Sequence, residues 1–265
     1  MSITLNKALI IARKEFTDAV TSKRFWLIIG LFLLLYIATI YATSYLFRIG
    51  TIPQSTRLMI RIGSSVASTV GFIAPILGVA LAFDAISGER ERGTLRMLLS
   101  RPIYREDIIN GKIVSALAVI ATTITASSLI SVSASILLQG IGVTLDDIVR
   151  ICLFIALSIL FSFAYYSVSL FISTVSRKSG YSLVIGMGVW IFFSFILPIL
   201  ASLIAFAVIG GPPSIPPQNL TAGQTPQLPE GYLNYARRLA EISNAIQMIS
   251  INYHYSSVAN SVFGF

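Results

Sequence analysis

The chain has one cysteine, Cys152, and one histidine, His254, and only 11% of its 265 residues are charged. Each scarcity excludes something. A single Cys forbids an internal disulfide, and one Cys with one His leaves no cluster for a metal. So few charges, against about 25% in an ordinary soluble domain, exclude a soluble globular enzyme and a disordered chain alike. What is present is apolar: 55% hydrophobic residues and a mean hydropathy of +0.82. A core of this size cannot hide that much apolar surface from water, so the solvent is lipid. The net charge of +8 then reads as Lys and Arg gathered on the cytoplasmic side of a membrane rather than as a nucleic-acid surface.

A helix crossing the hydrocarbon core needs about 20 apolar residues. Five stretches qualify, at about 25–47, 64–83, 113–138, 148–172 and 182–209. All are too long for core strands, and none alternates as a membrane barrel strand does. The expected fold is an all-α integral membrane protein with five transmembrane helices, 25–209 forming the transmembrane domain. With the N-terminus inside, the inner segments hold thirteen Lys and Arg and the outer ones six. That asymmetry predicts a multi-pass protein of the cytoplasmic membrane with a cytoplasmic N-terminus. Arg48, Arg57 and Arg61, together in one outer loop, run against it. Asn219-Leu220-Thr221, an N-glycosylation sequon in a segment placed outside, agrees with it. Residues 1–24 carry charges throughout and no small-residue cleavage site, so the first span is expected to be retained.

Within residues 1–24, Leu5, Leu9, Ala12, Phe16 and Val20 share one stripe at helical spacing, with Lys7, Lys14, Asp18 and Thr21 opposite. This is an amphipathic helix suited to the headgroup layer, followed by Trp26 at the interface. The same pattern fits a soluble helix packed on another domain; direct fusion to a span favours the membrane surface.

The loop 84–112 holds 11 of the chain's 30 charged residues. Gly93 breaks any continuous helix there. Leu95, Leu98 and Leu99 make a short apolar face, and Ser100-Arg101-Pro102 ends it, because the residue before Pro avoids the α region. A short helix with leucines on one side and charges on the other suits docking into a groove of a cytoplasmic partner. The bland alternative is a solvated loop laced with salt bridges.

In order, Gly88-Glu89-Arg90-Glu91-Arg92-Gly93-Thr94-Leu95, then Leu98-Leu99-Ser100-Arg101-Pro102-Ile103, then Arg105 and Gly111-Lys112, resemble the first cytoplasmic loop of ABC-2 type permeases. These are the membrane subunits of ABC exporters. The pattern is similar to single-domain permeases that include the membrane subunit serving nitrous-oxide-reductase maturation. Ala12-Arg13-Lys14-Glu15-Phe16 resembles that family's amphipathic elbow helix. The resemblance implies that the loop carries a coupling helix seated in a cleft of an ABC ATPase subunit, two of which would bind two permease copies, or this chain and a homologue. ATP and Mg would be bound by that partner, with no cofactor in this chain. Carried over, Glu89 and Glu91 would be acidic contacts and hinge. Arg92, Thr94, Leu95, Leu98 and Leu99 would form the docking helix, and Arg105 and Lys112 would hold the next segment against headgroups or the partner. Family members have six spans against the five here.

The chain lacks the Gly-x-x-x-x-Gly-Lys-Ser/Thr loop that cradles phosphates; its one Gly-Lys, Gly111-Lys112, is followed by Ile113. It is therefore not expected to be an enzyme by itself. The span centres are free of charge, which disfavours an ion-coupled carrier or channel, and no intramembrane Glu/His or Ser/His arrangement suggests a membrane enzyme. A non-transporting scaffold is the remaining alternative. In the third span Thr122, Thr125, Ser128, Ser131 and Ser135 recur at steps of three and four, as packing glue or as a cargo path. Pro75 and Pro198 predict kinks in the second and fifth spans. Thr144 and Asp147 resemble a capping box, and Asp146 and Asp147 are read as structural.

Residues 210–265 are expected to form an extracytoplasmic segment. A Pro-rich linker over 210–231 precedes an amphipathic helix over 232–251 with Leu239, Ile242, Ile246 and Ile249 as its stripe. Residues 252–265 then look like a lead into a sixth span. His254, between Tyr253 and Tyr255, is read as an interface residue because no second ligand accompanies it.

Overall fold

In a computed structural model, residues 2–48, 58–94, 105–139, 144–213 and 229–263 are described. Among them every regular element is helical: α1 Ser2–Thr21, α2 Lys23–Arg48, α3 Leu58–Ala82, α4 Ser87–Glu91, α5 Arg105–Gln139, α6 Leu145–Val175, α7 Ser179–Ile191, a π turn Phe192–Ile196, α8 Leu197–Ile209, α9 Glu230–Gln247 and α10 Ile251–Phe263. Among the described residues five stretches are long and apolar enough to cross a membrane: Phe25–Ala42, Val66–Glu91, Glu106–Ala134, Leu145–Val175 and Ser179–Ile209. They are the five expected from hydropathy. The chain falls into two units, one of residues 1–190 with 255–265, the other of residues 191–254.

In the first unit α3 and α6 make the most extensive pairing. Lipid supplies no hydrophobic drive between helices, so close backbone approach and interhelical hydrogen bonds must hold them. Gly78 provides the approach: a Cβ there would run into the carbonyl oxygen of Ser162 and lie 2.8 Å from the Tyr166 amide nitrogen. Ser162 Oγ donates to the Ala74 carbonyl at 2.8 Å, beside Pro75, which α3 accommodates without a break. The hydroxyls of Thr39 on α2 and Thr69 on α3 meet at 3.0 Å and tie the two helices together.

The buried hydroxyls of α5 are Ser115, Thr123, Ser127, Ser128 and Ser131. Of the predicted stripe, Ser128 and Ser131 are buried, whereas Thr122 is exposed and bonds the carbonyls of Ala118 and Val119. A spacing of three and four fits two adjacent stripes of a helix, and packing against α2, α3 and α6 buries Thr123 and Ser127 of the neighbouring stripe together with Ser128 and Ser131, leaving Thr125 half-buried. The side chain of Ser135 lies outside the described set.

α6 begins as expected. Thr144 Oγ accepts from the Asp147 amide, Asp147 Oδ2 accepts from the Thr144 amide at 2.9 Å, and Asp146 pairs with Arg150 at 2.9 Å. Arg150 also donates to the Val262 carbonyl at 2.8 Å. At the C-terminal end of the described residues, α10 lies antiparallel along α6, with Phe263 against Phe154 and Tyr255 stacked on Phe161 at a centroid distance of 4.2 Å. Tyr255 donates its hydroxyl to the Ala67 carbonyl at 3.3 Å. The 13 residues of α10 span about 20 Å, short of a crossing.

In the second unit α9 returns antiparallel along α8. Tyr235 donates to the Gly210 carbonyl at 3.0 Å near one end, and Asn252 Nδ2 donates to Ser194 Oγ at 2.8 Å at the other. Gly210, at φ +87°, terminates α8 in a conformation that favours glycine. Leu239, Ile242 and Ile246 are half-buried as predicted, but Ile249 lies past the end of α9 and is exposed. Pro198 interrupts its span through the π turn just before it, where the Leu197 amide reaches back five residues to the Phe192 carbonyl. The wider turn relieves the clash between the proline ring and the carbonyl four residues earlier.

Replacing Gly78 by Ala should destabilise the protein by about 1–3 kcal/mol, since the new methyl meets backbone rather than a movable side chain. Gly30→Ala, where a Cβ meets nothing within 4 Å, is the control. Thermal unfolding in one detergent should show a lower midpoint for Gly78→Ala alone.

A buried charge cluster as the candidate coupling site

α5 has 35 residues, about 52 Å, so it outruns a hydrocarbon core of about 30 Å. α1 packs along it, with Ala12 buried and Glu15 partly so, while Leu9 and Ile10 stay exposed for lipid. At the bend into α2, Ser22 Oγ donates to the Ala19 carbonyl at 2.7 Å and accepts from the Phe25 amide at 3.2 Å, ending one helix and capping the next.

Lys112 of α5 sits where α1, α4 and α5 converge. Its Nζ lies 2.8 Å from Glu89 Oε1 and 3.1 Å from Glu15 Oε2, and the residue is 5% exposed. Tyr166 of α6 donates to the Lys112 carbonyl at 3.2 Å. Glu89 Oε2 is buried with no hydrogen-bond partner. Around the cluster a cleft of about 520 Å³ opens, walled by Phe25, Ile28, Leu77 and Val119 and rimmed by Lys14, Asp18, Lys23, Asp84 and Arg92. Partial burial works to lower the pKa of Lys14, but the neighbouring carboxylates of Glu15 and Asp18 outweigh it and raise the pKa.

The five residues of α4 reach three other places as well. Ser173 of α6 accepts from the amides of Ile86 and Ser87 at 3.2 and 3.1 Å, seating the start of α4. Arg90 donates to the carbonyls of Ser176 and Thr174 at 3.0 and 2.9 Å, so a cation covers the negative end of α6. Glu91 Oε2 accepts from the Ser179 amide at 3.1 Å and hydroxyl at 2.7 Å, placing a carboxylate at the positive start of α7. Gly93, at φ +75°, then turns the chain, and Thr94 Oγ donates to the Glu89 carbonyl at 3.2 Å.

The sequence-derived site residues therefore separate. Glu89 and Glu91, which the resemblance makes acidic contacts and hinge, bond within the chain, Glu89 to Lys112 and the exposed Glu91 to Ser179 at the start of α7. Lys112 was expected to meet headgroups or the partner; it is buried between two carboxylates instead. Arg92 is exposed beside Gly88. Leu95, Leu98 and Leu99 lie outside the described residues, as does Asn219, and Arg105 opens α5 with its side chain outside the described set. Sequence reasoning missed Glu15, Arg90 and Ser173. Glu15 carried a signal: it stands three residues from Ala12, on the face of α1 that turns inward.

The chain matches the profile described as ABC-2 family transporter protein over residues 9–264. It is 34% identical over 113 residues to a protein of Stutzerimonas stutzeri described as "Probable ABC transporter permease protein NosY", covering 42% of this chain and 38% of that one. It is 30% identical over 210 residues to a protein of the same description from Pseudomonas aeruginosa, covering 73% of this chain and 70% of that one.

Lys112→Met should cost on the order of 3 kcal/mol of stability, because it leaves Glu15 and Glu89 facing each other with no cation between them. Adding Glu15→Gln and Glu89→Gln to Lys112→Met should recover most of the loss. A Lys112→Met midpoint equal to that of the unaltered protein would show that the cluster contributes nothing, and a triple variant no more stable than the single one would show that the loss is not due to the unpaired carboxylates.

Proposed function

This chain belongs to the ABC-2 transporter family, and from that premise we propose that it is the permease subunit of an ATP-driven exporter in the cytoplasmic membrane. Two permease copies, or this chain with a homologue, enclose the transport path. Two ABC ATPase subunits bind below and hydrolyse ATP, consistent with the absence of a phosphate-binding Gly-Lys-Ser/Thr loop in this sequence. The N-terminus and residues 84–112 face the cytoplasm. The uncharged walls of the spans suit an apolar or amphipathic cargo.

The observation that carries the reading is the position of α4. It directly precedes the segment of Leu95, Leu98 and Leu99, and its consecutive residues Glu89, Arg90 and Glu91 reach the α1–α5 cluster, the end of α6 and the start of α7. A displacement of the docking segment is delivered to all of these helices at once. Rigid contacts of this kind transmit motion because packed elements shift between discrete arrangements rather than bending continuously. Glu89 and Glu91 thus act as internal transmission points, and contact with the ATPase is left to Arg92, Thr94, Arg105 and the leucines.

Leu98→Asp should place an unpaired charge in the docking groove, at a cost of several kcal/mol, roughly the penalty for burying such a group, and the ATPase should no longer copurify. The double change Glu89→Gln, Glu91→Gln should leave the complex assembled and lower its ATP turnover in reconstituted vesicles. Undiminished copurification with Leu98→Asp removes the docking assignment, and unchanged turnover in the double variant removes the transmission role.

Orientation is tested separately. In a Cys152→Ser background, an impermeant thiol reagent added to sealed cells should label Thr51→Cys and Gln224→Cys but not Ser100→Cys. Labelling at position 100 would reverse the topology.

A further inference from the structure

The depth of the α9–α10 turn follows from the span beside it. Ser194 is the middle residue of the 31-residue stretch Ser179–Ile209. At 1.5 Å per residue that stretch is about 46 Å long and the hydrocarbon core is about 30 Å thick. Wherever the core lies along the helix, Ser194 is inside it. Asn252 donates to Ser194 Oγ at 2.8 Å, so the turn joining α9 to α10 also reaches hydrocarbon depth. The lengths agree: about 24 Å of helix separates Ser194 from Gly210, and the 18 residues of α9 span about 27 Å.

Polar groups and a backbone turn at that depth are tolerated only inside protein or against water. The outward face of α9 carries Arg237, Arg238, Glu241 and Asn244, all exposed. A face of that chemistry leading down to the turn suits an aqueous recess. At its floor stands His254, also exposed, with Nε2 2.7 Å from the Met248 carbonyl. A carbonyl only accepts, so Nε2 carries the proton and donates; the neutral ring then presents Nδ1 as a lone-pair acceptor. No hydrogen bond to Nδ1 occurs among the described residues. Tyr253 packs edge-on against the ring at a centroid distance of 5.9 Å and helps fix its plane.

We propose that Nδ1 of His254 is a cargo-binding acceptor at the floor of a water-filled vestibule that enters the membrane along α9, taking a hydrogen-bond donor group such as a hydroxyl or an amine of the transported molecule. The proposal rests on the reading of the chain as a permease, which supplies the cargo; the vestibule and the ring do not depend on it. It reverses the expectation that His254 is a plain interface residue: an imidazole turned to lipid at this depth is disfavoured.

The one histidine makes the test unambiguous. In 15N-histidine-labelled protein in vesicles, the ring should appear as the Nε2–H tautomer, and Zn2+ added to the outer bath should shift the Nδ1 resonance. An Nδ1–H tautomer, or an Nδ1 resonance indifferent to Zn2+, overturns the acceptor. In the Cys152→Ser background, an impermeant methanethiosulfonate should modify His254→Cys at least tenfold faster than Ile199→Cys, which is exposed on α8 within about one and a half turns of Ser194. Equal rates overturn the vestibule. Should the His254→Cys thiol react while no ATPase copurifies with the chain, the vestibule stands and the permease reading falls; should an ATPase copurify while that thiol stays unmodified, the vestibule alone falls.

Discussion

One ammonium between two carboxylates organises the end of the first unit where α4 sits. Lys112 meets Glu89 at 2.8 Å and Glu15 at 3.1 Å, and through them an N-terminal helix, a one-turn helix and a long membrane helix are held at a single point. Removing charges from water is costly, and their mutual attraction offsets that cost only when the geometry is close and each charge has its partner. Both Glu15 oxygens and Glu89 Oε1 face an ammonium, of Lys14 or Lys112, whereas Glu89 Oε2 has no partner. A buried group that is incompletely satisfied is where an alternative arrangement comes at the least extra cost, which suits an element proposed to shift during a transport cycle.

The remainder of the first unit is built to keep that point in place. Gly78 lets α3 lie against the backbone of α6, and Ser162 and Ser173 bond α6 to the carbonyl of Ala74 and to the start of α4. In lipid such small-residue contacts and hydroxyl bonds take the role that hydrophobic burial has in water. α4 follows from the end of α3 through hydrogen-bonded turns at Asp84–Gly88 and Ile86–Arg90, so the α3–α6 contact sets where Glu89, Arg90 and Glu91 stand.

The functional reading depends on the difference between a charge that can be seen in sequence and its partner, which cannot. Glu89 and Glu91 were visible as acidic residues in a charged loop, and the family resemblance gave them the roles of contacts and hinge. Both are taken up within the chain because Lys112 lies 23 residues away from Glu89 and Ser179 lies 88 residues from Glu91, pairings that no local pattern encodes. The loop's other half was legible: Gly93 turns the chain at positive φ where a break was expected. His254 shows the converse. It looked unremarkable between two tyrosines, and only the hydrogen bond from Asn252 to Ser194 gives its depth.

Composition and periodicity by themselves determined the solvent, the all-helical class, the five membrane-crossing stretches, the Thr144–Asp147 cap and the apolar face of α9 through Leu239, Ile242 and Ile246, because each of these is a local property of a few neighbouring residues. Tertiary structure alone decided which stripe of α5 turned inward, that Lys112 is shared by Glu15 and Glu89, that α10 returns along α6, and that the turn before it reaches the depth of Ser194. These outcomes depend on the rotation of each helix about its axis and on contacts between distant segments. A spacing of three and four leaves the rotation open by one residue, and interhelical hydrogen bonds are chosen only when the helices are already side by side.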